Sequence, residues 1–386
     1  MKRILFCSPY PLSKQLGGPK VILELVQAME KEGWVCDLLG RDDICKVEDY
    51  LNVSVDIYSR KLSEHLRKCA DQYDVVDYDH HCLPYPRTLF ADRTLFAARS
   101  VLLAHHFEVI SIPKGGGWKP KVRTLLVGKK EGAERRHRTN NARTTIEQAD
   151  VVNVSNYHDK EELIKNGVAS EKIIVIPYGI SQDRRLLFDT VSNEVPAKPV
   201  VAFVGTFDYR KGAREFPSLV QSIVKSVPEA RFRLIGTAGL FQTEAEVLAH
   251  FPYRLRHKME IIPRYLPEEL PSLLALCSVG IFPSYVEGMP FGVLEMLAAS
   301  VPVIAYDAPG APMMLTAEYL VGCGDVKAMS AKVVMLLNSA TRLHNAREWA
   351  QKQSQKFSWQ NAAEMTSEIY QERYQRKQVE RSVSAP

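Results

Sequence analysis

A chain of 386 residues is long for one hydrophobic core and natural for two, and 46% hydrophobic with 25% charged residues is an ordinary globular composition. No stretch approaches the roughly 18 uninterrupted apolar residues of a membrane-spanning helix; residues 293–315 come nearest and are broken by Glu295, Asp307 and several prolines. The net charge of +5 is concentrated: residues 114–143 carry ten Lys/Arg and two acids, +8, so the remainder sums to −3, which excludes a uniformly basic surface.

The opening MKRILFCSPYP meets a proline too soon to supply the apolar centre of a signal peptide. Seven scattered cysteines, with no CxxC pair, argue against a disulfide framework or a zinc site. A reducing cytosol is the expected compartment. RILFCS reads as a buried parallel strand, followed by a turn-rich loop with Gly17 and Gly18. VILELVQAMEKEG places Ile22, Leu25, Val26 and Met29 at helical spacing and stops at Gly33. WVCDLL is a second strand. Asp74-Val75-Val76, VLLAHH, ADVVNVS and KIIVIPYG continue the strand series, with a polar helical stretch before ADVVNVS.

Residues 186–199 are polar, contain two prolines and read as a linker. The alternation then restarts with strand VVAFVG, a helix near 212–226, strands RFRLIG and MEIIP, helix LPEELPSLLALC and strand VGIFPS. A helix from about Phe291 and strand PVIAYD follow, and FSWQNAAEMTSEIYQERYQRKQ reads as a closing amphipathic helix. Two runs of β-α-β-α predict two parallel, doubly wound α/β domains. They are expected at 1–187 and 200–356, with linker 188–199 and helix 357–386 returning to the first domain. Ligands on such sheets bind at the carboxyl ends of strands, so the expected site is the cleft between facing domains.

Four elements carry chemistry. EGMPFGVLE (287–295) sets Glu287 and Glu295 eight positions apart, across a loop and a helix start. A helix N-terminus at Pro290 and Phe291 suits phosphate, Gly292 permits close backbone approach, and Glu295, one turn in, can accept hydrogen bonds from a sugar diol. GTFDYRKG (205–212) places Arg210 and Lys211 at a strand's carboxyl edge, where two cations could clamp a diphosphate. Gly17 and Gly18 form the third element, without the full GxGxxG fingerprint. The fourth is the pair His105 and His106. Taken singly, each also fits a plainer role as solvated acid, exposed cation, turn glycine or structural histidine.

Taken together, these motifs resemble the retaining, nucleotide-sugar-dependent glycosyltransferases of the GT-B fold, family 4. The resemblance extends through ADVVNVSNYH, KIIVIPYGI, GTFDYRKG and the long block IIPRYLPEEL…APGAP. It implies two Rossmann-like domains, a nucleotide-diphosphate sugar as donor and no cofactor or metal. DYDHH (77–81) does not lie in the setting of a metal-binding DxD loop. It also implies roles: Glu295 on the ribose; the backbone of Phe291, Gly292 and Val293, with Lys211, on the diphosphate; and Glu287, with neighbours Gly288, Met289 and Pro290, at the donor sugar. Gly17 and Gly18 would approach from the first domain. His106, or His105 one residue away, would meet the sugar or the reacting centre. The family often has arginine where Thr206 stands, and Arg210 is the candidate replacement.

PKGGGWKPKVRTLLVGKKEGAERRHR (113–138), with Trp118, Lys119, Lys121 and Arg123, is the expected contact for an anionic acceptor or membrane surface. Nucleic acid is not the expected partner, because no stacking aromatics are interleaved with the charge. The alternatives are other GT-B chemistry, such as a nucleotide-sugar epimerase, or a basic nucleic-acid- or membrane-binding protein without transferase activity.

Overall fold

Two six-stranded parallel sheets organise the chain in a computed structural model that describes residues 2–13, 17–45, 55–112, 122–190 and 194–384. The first comprises β1 (Lys2–Cys7), β2 (Trp34–Leu39), β3 (Val75–Asp79), β4 (Leu95–Ser100), β5 (Val151–Val154) and β6 (Ile173–Val175). Its helices are α1 (Gly17–Lys31), α2 (Arg41–Ile44), α3 (Val55–Cys69), α4 (His106–Val109), α5 (Val122–Gln148) and α6 (Tyr157–Lys165). The second part opens with α7 (Gln182–Asp189), then β7 (Val200–Val204), α8 (Phe216–Ser226), β8 (Arg231–Ile235), α9 (Glu244–Leu248) and β9 (Met259–Ile262). It continues with α10 (Leu270–Ala275), β10 (Val279–Phe282), α11 (Phe291–Ala298), β11 (Val303–Tyr306), β12 (Leu320–Val321), α12 (Val326–Leu337) and α13 (Ala340–Ser354). The closing helix is α14 (Trp359–Ser384).

The chain divides into unit 1, Met1–Val109, Trp118–Tyr178 and Trp359–Pro386, and unit 2, Ile110–Gly117 and Gly179–Ser358. The passage into unit 2 falls at Gly179 rather than near 187. α7 occupies part of the segment read as linker, and residues 191–193 lie outside the described residues. α14 packs in unit 1, where the indole N–H of Trp34 donates to Ser367 Oγ at 2.9 Å.

Strand order in unit 1 is β2-β1-β3-β4-β5-β6, so the direction of winding reverses between β1 and β3. Ile4–Cys7 of β1 and all of β5 are buried, as strands covered by helices on both sides must be. VLLAHH is not a strand. The strand is LFAARS, just before it, and every residue of it is buried. Arg99 makes that segment look too polar for a central position. It is paired inside the sheet: Nε donates to Asp77 Oδ1 at 3.0 Å and Nη2 to Asp77 Oδ2 at 2.6 Å. Tyr370 of α14 donates its hydroxyl to the same Asp77 at 2.6 Å and accepts from Asn153 Nδ2 at 3.2 Å. A buried ion pair with a tyrosine hydroxyl bonded to it thus ties the last helix to three strands.

Unit 2 has the order β12-β11-β10-β7-β8-β9, and its winding reverses between β7 and β10. Neighbouring residues there are registered Val279 to Val201 and Gly280 to Ala202. The loops leaving the carboxyl ends of these two strands are GTFDYRKG and PSYVEGMP, the segments singled out from the sequence. A doubly wound sheet forms its crevice at such a reversal. Among the described residues no helix is long and apolar enough to cross a membrane.

Candidate functional site

At the β7/β10 reversal the two loops are joined by one carboxylate. Glu287 Oε1 accepts from Lys211 Nζ at 2.5 Å, Arg210 Nη1 at 2.7 Å and Ser284 Oγ at 2.7 Å. Arg210 also donates to the Val286 carbonyl at 2.8 Å, and its own carbonyl accepts from Tyr285 N–H at 2.9 Å. The cations are presented by a 3₁₀ turn, Tyr209–Lys211, capped by Asp208, whose side chain accepts from Lys211 N–H. Thr206, where the family often has arginine, donates its hydroxyl to Asp208 at 2.7 Å and so stiffens the same turn.

Burial alone would raise the Glu287 carboxyl; Arg210 and then Lys211 outweigh it and hold its pKa at about 2. Two cations share this single carboxylate. Arg210 is held above its usual range by Glu287 against the penalty of burial. Lys211 is pulled below its usual value, first by burial, with Arg210 adding repulsion. Arg210 and Lys211 therefore stand together at this edge, with both cations resting on Glu287.

Past Glu287, Gly288 and the buried Met289 lead to Pro290, which caps α11. Gly310, at φ +95°, closes over the Gly288 and Glu287 carbonyls, where a Cβ would lie 2.7 and 2.9 Å from their oxygens. Phe291, Gly292 and Val293 form the first turn of α11, as the sequence predicts. Gly292 has a reason the sequence does not display: a Cβ there would overlap the Val204 carbonyl oxygen at the end of β7. The missing side chain lets α11 press against that strand, which sets the helix N-terminus at the sheet's carboxyl edge.

Glu295 lies one turn further on, 5% exposed. Its partner is Arg184, whose Nη2 donates to Oε1 at 2.5 Å from α7. Sequence reasoning missed Arg184: it sits 111 residues away in a segment assigned to the end of the first domain, and no local pattern marks it. Tyr265 adjoins the pair, its phenol pushed up by burial and by the Glu295 charge.

Unit 1 gathers its polar side chains at the corresponding edge of its own sheet. Gly17 and Gly18 are the first residues of α1 rather than part of the preceding loop. His105 lies in a turn and His106 opens α4, since the strand ends at Ser100. His106 Nε2 donates to Asp159 Oδ1 at 2.7 Å, both side chains being buried. The imidazole of His105 has an unpaired, buried Nδ1 and is lowered to about 4 by burial, then by His80 and Arg143, so it is neutral near pH 7. Asp79, His80 and His81 bring three ligand-type atoms within 4.8 Å. The Ala104 N–H donates to His80 Nε2 at 3.2 Å, so in the neutral ring the proton sits on Nδ1, toward Asp79 at 3.0 Å. Trp118, Lys119 and Lys121 lie outside the described residues, and of Arg123 only its place in α5 is described.

Solved structures with the same architecture include a sucrose-phosphate synthase from Thermosynechococcus elongatus, with a TM-score of 0.69 at 17% identity over 96% of this chain and 99% of that one. Anabaena HepE in complex with UDP matches with a TM-score of 0.67 at 14% identity, covering 96% of this chain and all of that one (100%). The fold is GT-B. Residues 198–339, which lie within unit 2, match the family Glycosyl transferases group 1. A curated relative, the sulfoquinovosyl transferase SQD2 of Arabidopsis thaliana, is 27% identical over 218 residues, 55% of this chain. The match spans 39% of that relative's length.

Proposed function

We propose that this chain is a glycosyltransferase that moves a sugar from a nucleotide-diphosphate donor to a hydroxyl acceptor with retention of configuration. The observation that carries the reading is the convergence, at the strand-order reversal of unit 2, of the Arg210–Lys211–Glu287 cluster with the N-terminus of α11 and the buried Glu295. A diphosphate needs cations and backbone N–H donors, a ribose diol needs a carboxylate, and this edge offers both. Binding of UDP by HepE and the family match of residues 198–339 support the donor class.

On this reading Glu295 holds the ribose hydroxyls, and the first turn of α11 with Lys211 neutralises charge on the departing diphosphate. Glu287 meets hydroxyls of the transferred sugar with the oxygen its cations leave open. The leaving phosphate then assists removal of the acceptor proton, so no protein nucleophile or metal is required. His106, or His105, would contact the sugar. Cell-surface polysaccharide or glycolipid assembly in the cytoplasm, with the basic segment 113–138 resting on the inner membrane face, is the corresponding setting. Flotation with vesicles tests that last point: recovery should rise with anionic lipid, and equal recovery on neutral vesicles contradicts it. The activity itself is tested by a thermal-shift panel of UDP-, GDP- and ADP-sugars followed by product analysis. A retaining transferase gives a product with the donor's anomeric configuration, whereas an epimerase would change the sugar without any acceptor.

A further inference from the structure

We infer that Arg184 is a positioning residue for donor recognition, acting through Glu295 on the ribose; this rests on the nucleotide-sugar reading above. The ribose diol must donate two hydrogen bonds, which an ionised carboxylate accepts and a protonated one accepts poorly. Glu295 is 5% exposed, and a carboxylate that deep is tolerated where it is paired and hydrogen-bonded. Arg184 Nη2, 2.5 Å from Oε1, is the only cation paired with it among the described residues. The contact takes one oxygen. Oε2 has no hydrogen-bond partner among the described residues and is left for a hydroxyl.

Arg184 is itself held. Nη1 reaches the Pro267 carbonyl at 3.5 Å, and the guanidinium lies 5.8 Å from the Phe188 ring centre. Its Nε is buried without a partner, a cost that an arginine serving only as a surface residue would escape by turning outward. The single charge-assisted contact through Nη2 thus anchors Oε1 of the Glu295 carboxylate. Tyr265, close enough to feel both charges, forms a further wall of the same corner.

The test is calorimetric titration of the full chain with whichever of UDP, GDP or ADP binds, and with its 2′,3′-dideoxy counterpart. Wild type should prefer the ribo form by about tenfold or more, the loss expected when hydrogen bonds to a charged acceptor are removed. Arg184→Gln should bring that preference down to about two- to threefold while leaving dideoxy affinity unchanged. Arg184→Lys, which retains the charge and the fold but not the fork, should keep the preference within about threefold of wild type. Equal weakening of both forms in either variant, or an undiminished preference in a folded Arg184→Gln protein, overturns the inference and leaves the donor reading standing. Failure of all three nucleotides to bind wild type overturns the donor reading, and the inference with it.

Discussion

Replacing Glu287 by glutamine keeps the side chain's shape and removes its charge, leaving Arg210 and Lys211 facing each other with only the more distant influence of Asp208. The side chains of Glu287, Arg210 and Lys211 are 12%, 23% and 13% exposed, so solvent screens the loss only in part. Lowering the carboxyl from 4.5 to about 2 corresponds to about 3 kcal/mol of preference for the ionised form. That agrees with the roughly 3–5 kcal/mol lost when one member of a buried pair is removed. Glu287→Gln should therefore lower the stability of unit 2 by about 3 kcal/mol at pH 7, read from urea unfolding followed by several probes. The sign with pH follows from the depressed carboxyl. Its contribution is complete above the unfolded value near 4.5 and is lost as pH falls through about 2, so the gap between wild type and variant should narrow below pH 4.5. Equal stability of the two proteins at pH 7, or a gap that does not change between pH 6 and pH 3, would refute the argument that this carboxylate bears both cations.

Gly292→Ala forces a Cβ against the Val204 carbonyl and should destabilise unit 2 by about 1–3 kcal/mol, with a matching fall in melting temperature. An unchanged melting temperature would mean that α11 does not depend on that close approach. Tyr370→Phe removes a hydroxyl bonded to Asp77, Arg99 and Asn153 and should cost about 1–3 kcal/mol. Amide exchange in α14 should then quicken by about tenfold or more; unaltered protection of that helix would contradict its anchoring through this network.

Much of unit 2 is legible in the sequence because its strands are short apolar runs bounded by glycine, proline or charge. RFRLIG, MEIIP, VGIFPS and PVIAYD all appear as strands within a residue or two of the expected bounds. Misreadings occur where a tertiary partner overrides a local signal. Arg99 hides β4, because a charge in a central strand is tolerable only when Asp77 stands beside it. LPEELPSLLALC reads as one helix, yet α10 covers only Leu270–Ala275, preceded by a 3₁₀ turn at Pro267–Glu269. Loop chemistry was legible as residue types and positions, since Arg210, Lys211 and Glu287 do meet. Their mutual pairing, the Arg184 contact and the packing role of Gly292 depend on residues dozens to more than a hundred positions apart, which no local spacing encodes.

The central claim is that the edge holding Glu295 and the Arg210–Lys211–Glu287 cluster binds and cleaves an activated sugar. Its most direct test is release of nucleoside diphosphate from a panel of nucleotide sugars, by wild type and by Glu295→Ala. The expected result is release by wild type from one donor class, with Glu295→Ala raising the donor KM by about tenfold or more, as two lost hydroxyl contacts require. Absence of release from every donor, or full wild-type kinetics in the alanine variant, would contradict it.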